Sequence, residues 1–173
     1  MDRSFDEALV NVSVVAVAGH RRPDGDAIGS CYAMAHYLNR LGKDVKVLLE
    51  DYDSRYDDAI PGRQYLYTGD YDALSPDMFI AMDTSAPERL GRAKSVLERA
   101  RVTAVFDHHL EGVDAGHFDH TSRDTQAPST TMILYKFLNQ RIALDVDISS
   151  AIYAGLVYDT GGFRHPSTTP ECM

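Results

Sequence analysis

Apolar and polar positions alternate along the chain in two periods, and their order predicts the architecture. Val12 to Ala18 reads VSVVAVA, β-branched and nearly all apolar, as a strand buried on both faces of a parallel sheet does. Ile28, Cys31, Met34, Ala35, Leu38 and Leu41 then recur at three- and four-residue spacing, one face of a helix that Gly42 stops. Asp44 to Leu49, Asp77 to Met82 and Val102 to Phe106 read as three further strands. Between them, Asp51 to Tyr71 reads as loops around a short helix, and Pro87 to Ala100 as a helix with Leu90, Ala93, Val96 and Leu97 on one side. Leu110 to Ala127 reads as irregular, whereas Ser129 to Asn139 and Ile148 to Tyr158 are helical by period, the first with a hydroxyl-rich start suited to capping. Strands alternating with helices, without internal repeat or low-complexity segment, predict an α/β fold with a mainly parallel sheet.

Composition narrows the class. With 173 residues, 44% hydrophobic and 25% charged, the chain has the make-up of one globular domain with a sizeable core. Its formal charge of −9 argues against a surface that coats long duplex nucleic acid, yet leaves room for a phosphate site wherever bound cations invert the local field. Cys31 and Cys172 match no metal or disulfide spacing, and Cys31 falls within a helical pattern as a small buried hydrophobe. No basic leader precedes the first apolar run, and no apolar stretch approaches the roughly 20 residues of a membrane span. The expectation is a cytoplasmic protein without a membrane partner; oligomeric state is left open, a homodimer included.

Candidate chemistry gathers where strands end. The loop GHRRPDGDAIGS carries His20, Asp24 and Asp26 directly after the first strand, Asp83 follows the third, and Asp107, His108 and His109 follow the fourth. Taken singly, each has an ordinary explanation: Asp beside Pro and Gly forms turns, Asp83 can open a helix, and adjacent histidines can face solvent. In an open parallel sheet, however, the carboxyl ends of strands form the ligand crevice, so these clusters can converge. Carboxylate and imidazole together suit hard divalent ions such as Mg²⁺ or Mn²⁺. Gly25 and Gly29 do not make the G-x-G-x-x-G dinucleotide fingerprint; they suit close backbone approach to a ligand and packing of the helix on the sheet.

These segments resemble the signatures of the DHH phosphoesterases: HRRPDGDAIGS the first, Asp83 in MDTS the second, Asp107-His108-His109 the third and Asp159 in YDTGGF the fourth. PERLG (Pro87 to Gly91) and YDTGGFRHPSTTPE (Tyr158 to Glu171) are most similar to the branch containing bacterial nano-RNase/pAp phosphatases and cyclic-dinucleotide-degrading enzymes. The resemblance implies a Rossmann-like three-layer sandwich, the DHH catalytic domain, over residues 1–173, lacking the C-terminal substrate-binding domain that such proteins carry. It implies two divalent metal ions, Mn²⁺ or Mg²⁺, one on His20, Asp24 and Asp83, the other on Asp26, Asp83, His108 and Asp159. Asp83 would then bridge them. His109 would face the substrate phosphate, Asp107 would orient an imidazole, and Arg21, Arg22 and Arg164 are candidate phosphate clamps. Arg22 departs from the pattern, which usually has asparagine there. The implied activity is hydrolysis of short oligonucleotides, pAp or linear and cyclic dinucleotides by a metal-activated water. The alternatives are a DHH-type inorganic pyrophosphatase and a non-catalytic metal- or nucleotide-binding domain.

Overall fold

A computed structural model describes residues 3–110 and 118–173. Five strands form one parallel sheet: β1 (Val14–Ala18), β2 (Asp44–Leu48), β3 (Met78–Met82), β4 (Val102–Asp107) and β5 (His120–Arg123), in the order β2-β1-β3-β4-β5. Five α-helices accompany them: α1 (Arg3–Val10), α2 (Gly25–Arg40), α3 (Ala93–Leu97), α4 (Thr130–Leu138) and α5 (Val146–Asp159). The strand order reverses between β1 and β3, which opens a crevice beyond their carboxyl ends.

The pleat divides the core between two faces. Val15, Val17, Ile80, Met82 and Phe106 point to one side, where they meet α2 and α4 with Phe5 of α1. Ala16, Ala18, Phe79, Ala81 and Val105 point to the other, against Leu90, Ala93, Val96 and Leu97. The result is the expected three-layer α/β sandwich. At the opposite end of the sheet, the Asp77 carboxylate accepts the Ser13 and Val14 amides at 2.8 and 3.0 Å, tying the entry of β1 to that of β3.

Several elements differ from the sequence expectation. The Pro87–Ala100 helix is a 3₁₀ turn (Pro87–Leu90) and the short α3, separated by Gly91 at φ 58°. The left-handed backbone at Gly91 breaks the helical hydrogen-bond run. Asp51 to Tyr71 contains two 3₁₀ turns, over Ser54–Tyr56 and Arg63–Tyr65, and a third, over Tyr71–Ala73, begins at its end. The stretch read as irregular, Leu110 to Ala127, includes residues 111–117, which lie outside the described residues; beyond them β5 pairs with β4. With the sequence HTSR, this edge strand has no apolar alternation to announce it. The helix α1, too short and polar to stand out by period, docks through buried Phe5 and Leu9. Among the described residues, no helix is long and apolar enough to cross a membrane.

Helix α2 is buried from Gly25 through Leu38, because the sheet covers one side and α5 covers the other. The second contact depends on glycine. A Cβ at Gly29 would collide with the Ala151 carbonyl oxygen of α5, so Gly29 serves packing against a helix rather than against the sheet, as its position had suggested. Gly155 on α5 faces Thr131 and Asp26 equally closely, with a Cβ there 2.5 Å from Thr131 Cγ2 and 2.8 Å from Asp26 Oδ1. Gly29→Ala should destabilise the chain by about 1–3 kcal/mol, the usual cost of overpacking a rigid contact. Urea unfolding of wild type and variant checks this.

Candidate metal centre

The crevice at the β1/β3 reversal collects the acidic and imidazole side chains. His20 stands two residues beyond β1, and its Nδ1 lies 3.0 Å from the Arg21 carbonyl oxygen. A carbonyl only accepts, so Nδ1 carries a hydrogen, and Nε2 is the nitrogen that can give a lone pair to a metal once it is deprotonated. That Nε2 sits 3.5 Å from Asp83 Oδ2 and 4.0 Å from Asp24 Oδ2. His108 is oriented in the same way. Its Nδ1 faces the Ala127 carbonyl at 3.3 Å, which turns Nε2 to within 3.2 Å of Asp159 Oδ2 and 3.5 Å of Asp83 Oδ1. Backbone carbonyls behind both rings set the tautomer a metal-binding histidine needs.

Each carboxylate is held by one end of the scaffold. Asp24 is the N-cap of α2: Oδ1 accepts the Asp26 and Ala27 amides at 3.0 and 3.1 Å, leaving Oδ2 for His20. Asp26, fully buried, accepts Thr130 N at 2.6 Å, Thr131 N at 3.0 Å and Thr131 Oγ1 at 2.7 Å. These donors form the first turn of α4, whose free amides and dipole favour a negative charge. Asp83 follows β3 at φ 62°, a left-handed conformation that aspartate tolerates better than most residues. Its amide still bonds the Phe106 carbonyl of β4 at 2.9 Å, and Thr130 Oγ1 donates to its Oδ1 at 2.8 Å. One oxygen of Asp83 therefore faces His20 and the other faces His108.

The six expected metal ligands thus come together in two groups. His20, Asp24 and Asp83 each offer one ligand atom within 4.8 Å of the others, and so do Asp26, His108 and Asp159. Asp83, His108 and His109 meet the same limit. His109, however, already spends Nδ1 on Asp107 Oδ1 at 2.8 Å, which frees only its outer nitrogen. Asp107 therefore orients His109, not His108. Burial pushes the Asp107 carboxyl up, but hydrogen bonds from His109 and Ser85 outweigh it and hold the group below its ordinary range.

The three arginines stand apart. Arg22 is 84% exposed and reaches only Asp51, at 4.0 Å. Its φ of 55° lies in the left-handed region, which asparagine adopts more readily than arginine. Arg164 Nε donates to the Gly161 carbonyl at 2.8 Å, and the Arg21 side chain lies exposed. Sequence reasoning missed the supporting donors Thr130 and Thr131, and also Arg123, which bonds the His109 carbonyl through Nε and Nη2. The hydroxyl-rich start of α4 was the available signal for the threonines. Only Ser129 caps the helix, to Met132 N at 3.1 Å.

Electrostatics fit a cation. Burial raises the Asp24 carboxyl, and burial with the charges of Asp83 and Asp159 lifts Asp26 well above its ordinary value. Although burial opposes it, the hydrogen bond to Asp159 and the charges of Asp83 and Asp26 raise His108 from 6.5 to about 9; the His20 imidazole is also raised, Asp83 outweighing its burial. Without metal the site thus takes up protons to offset its negative charge. Four carboxylates and two oriented imidazoles supply the hard-donor set a divalent ion requires.

A parallel α/β domain with such a cluster at its switch point has the donor geometry to hold divalent ions. The chain belongs to the DHH family, whose N-terminal domain matches residues 14–158. It is 28% identical over 160 residues to the bifunctional oligoribonuclease and PAP phosphatase of Thermus thermophilus, covering 92% of this chain and 47% of that protein. To a probable manganese-dependent inorganic pyrophosphatase of Enterococcus faecalis it is 23% identical over 173 residues, covering 92% of this chain and 52% of that one. The crystal structure of an exopolyphosphatase-related protein from Bacteroides fragilis superposes with a TM-score of 0.83 at 23% identity, covering 97% of this chain and 52% of the other. The chain spans about half the length of the curated relatives it matches.

A raised histidine stabilises the fold when protonated, so this contribution is complete below the unfolded value of 6.5 and is lost as pH rises through about 9. The metal-free chain should therefore lose thermal stability between those limits. Saturating Mn²⁺ should raise the thermal midpoint, more at pH 8.5 than at pH 6, because binding displaces protons. Scanning calorimetry across the range checks both, and a midpoint indifferent to Mn²⁺ would count heavily against the site.

Proposed function

We propose that this chain is the catalytic domain, residues 1–173, of a divalent-metal-dependent phosphoesterase acting on short oligonucleotides, pAp or linear and cyclic dinucleotides. One observation carries the reading: Asp83 turns its two oxygens toward two separate imidazole–carboxylate groups, as a residue shared by two ions must. On this reading His20, Asp24 and Asp83 hold one ion, and Asp26, Asp83, His108 and Asp159 hold the other. The similarity to a probable manganese-dependent pyrophosphatase of Enterococcus faecalis supports manganese as the metal.

Bound divalent ions supply Lewis acidity, which makes water a competent nucleophile at neutral pH and takes up charge developing on phosphoryl oxygens. The protein's share is positional. Threonines of α4 fix Asp26 in the first turn of α2 and Asp83 beyond β3, so two candidate ligands on different elements keep their spacing without rearrangement. His109, braced by ionised Asp107, keeps Nε2 free to hold a proton and donate it to a phosphoryl or leaving oxygen. Burial of Asp107 keeps that brace away from solvent, so the imidazole turns in one direction only. Arg21, Arg22 and Arg164 are the candidate phosphate contacts, and their exposure suits guanidinium groups that engage only when substrate arrives.

A second reading is inorganic pyrophosphatase, supported by the pyrophosphatase relative that matches over nearly the same span. Substrate choice separates the two. The chain with Mn²⁺ should hydrolyse pAp or a short RNA dinucleotide, and Asp83→Asn should abolish that activity. Cleavage of pyrophosphate alone would favour the second reading, and no hydrolysis of any of the three would contradict both. His109→Gln should lower kcat by about 10²–10⁴-fold, the usual range for a lost proton donor, while leaving Mn²⁺ affinity unchanged by calorimetry.

A further inference from the structure

Gly25 separates Asp24 from Asp26, and these two aspartates belong to different ligand groups of the metal centre. Its backbone is covered by an aromatic side chain: a Cβ at Gly25 would lie 2.8 Å from Cβ, Cγ and Cδ2 of Tyr158. Tyr158 directly precedes Asp159, the α5 member of the second group, so a single chain step joins the ring to the metal cluster. Its phenol lies near Tyr56. The side chain is nevertheless 49% exposed. A large aromatic surface therefore packs on the Gly25 backbone at the edge of the candidate metal centre and remains half open to water.

We propose that Tyr158 forms a nucleobase-stacking subsite beside the metal centre, selecting phosphate esters that carry a nucleoside over those that do not. The proposal rests on the phosphoesterase reading above and deepens it by naming the side chain that would contact the base. Every base offers a π-face, so an aromatic platform binds it with little regard to sequence, which suits short and varied nucleotides. The Gly25 contact makes this platform efficient: the ring lies close on the backbone, so stacking requires no collapse of a mobile side chain. Inorganic pyrophosphate has no group to occupy this surface.

The test compares 5′-AMP with ribose 5-phosphate, which differ by the base alone, by calorimetric titration of the Mn²⁺-loaded 173-residue chain. Wild type should bind AMP at least about tenfold more tightly, within the range known for one base on one aromatic side chain. Tyr158→Ala should reduce AMP to the affinity of ribose 5-phosphate without changing the latter, and Tyr158→Phe should keep most of the preference. Mn²⁺ affinity equal to wild type verifies that each variant is folded, and Phe carries the comparison together with Tyr158→Leu if the alanine variant is not. A preference for AMP that survives loss of the aromatic ring would overturn the stacking subsite, as would equal binding of the two ligands to wild type. In both cases the phosphoesterase reading stands. Failure of the Mn²⁺-loaded wild type to bind either phosphate ester would overturn that reading itself, and the subsite with it.

Discussion

Mutual repulsion among carboxylates is the constraint on which the rest of this structure depends. Asp24, Asp26, Asp83 and Asp159 converge at one end of the sheet, two of them almost wholly buried, and no arginine or lysine is bonded among them in the described residues. Such a cluster opposes folding unless its charge is offset. The fold offsets part of it with the first turn of α4, whose amides and threonine hydroxyls clasp Asp26 and Asp83, and part with protons on His20 and His108. The remainder is the negative charge that divalent cations would offset on the proposed reading.

The same constraint explains features that look purely architectural. Asp26 can reach the α4 amides only because α2 lies close to α4 and α5, and that closeness depends on Gly29 and Gly155. The reversal of strand order between β1 and β3 provides the opening, and the left-handed turn at Asp83 directs its carboxylate into it. Packing and site are thus one system: the helix interface that completes the core also fixes the distance between ligand groups. A substitution at the α2–α5 contact should be felt at the metal centre as well as in stability.

Much of this was legible in the sequence, for identifiable reasons. β1 and β3 are apolar runs and β2 and β4 are rich in β-branched residues, and the candidate ligands His20, Asp24, Asp26, Asp83, His108 and Asp159 sit in compact motifs next to strand or helix ends, where local spacing determines placement. What local pattern does not encode was harder to read. β5 is a polar edge strand held by pairing with β4, and α1 owes its position to Phe5 meeting the distant Phe106 and Phe137. Thr130 and Thr131 act on aspartates about a hundred and about fifty residues away, so their role emerges only when the chain is folded. The role of Gly29 was misread for a related reason: the sequence shows that something lies close to it, but not whether that neighbour is a sheet or a helix.

The most direct test of this account is an anomalous difference map from crystals of the chain grown or soaked in Mn²⁺. Two peaks should flank Asp83, one beside His20 and Asp24 and the other beside Asp26, His108 and Asp159. A single peak that leaves one group empty, or manganese found only away from Asp83, would contradict the shared-carboxylate centre from which the proposed function follows.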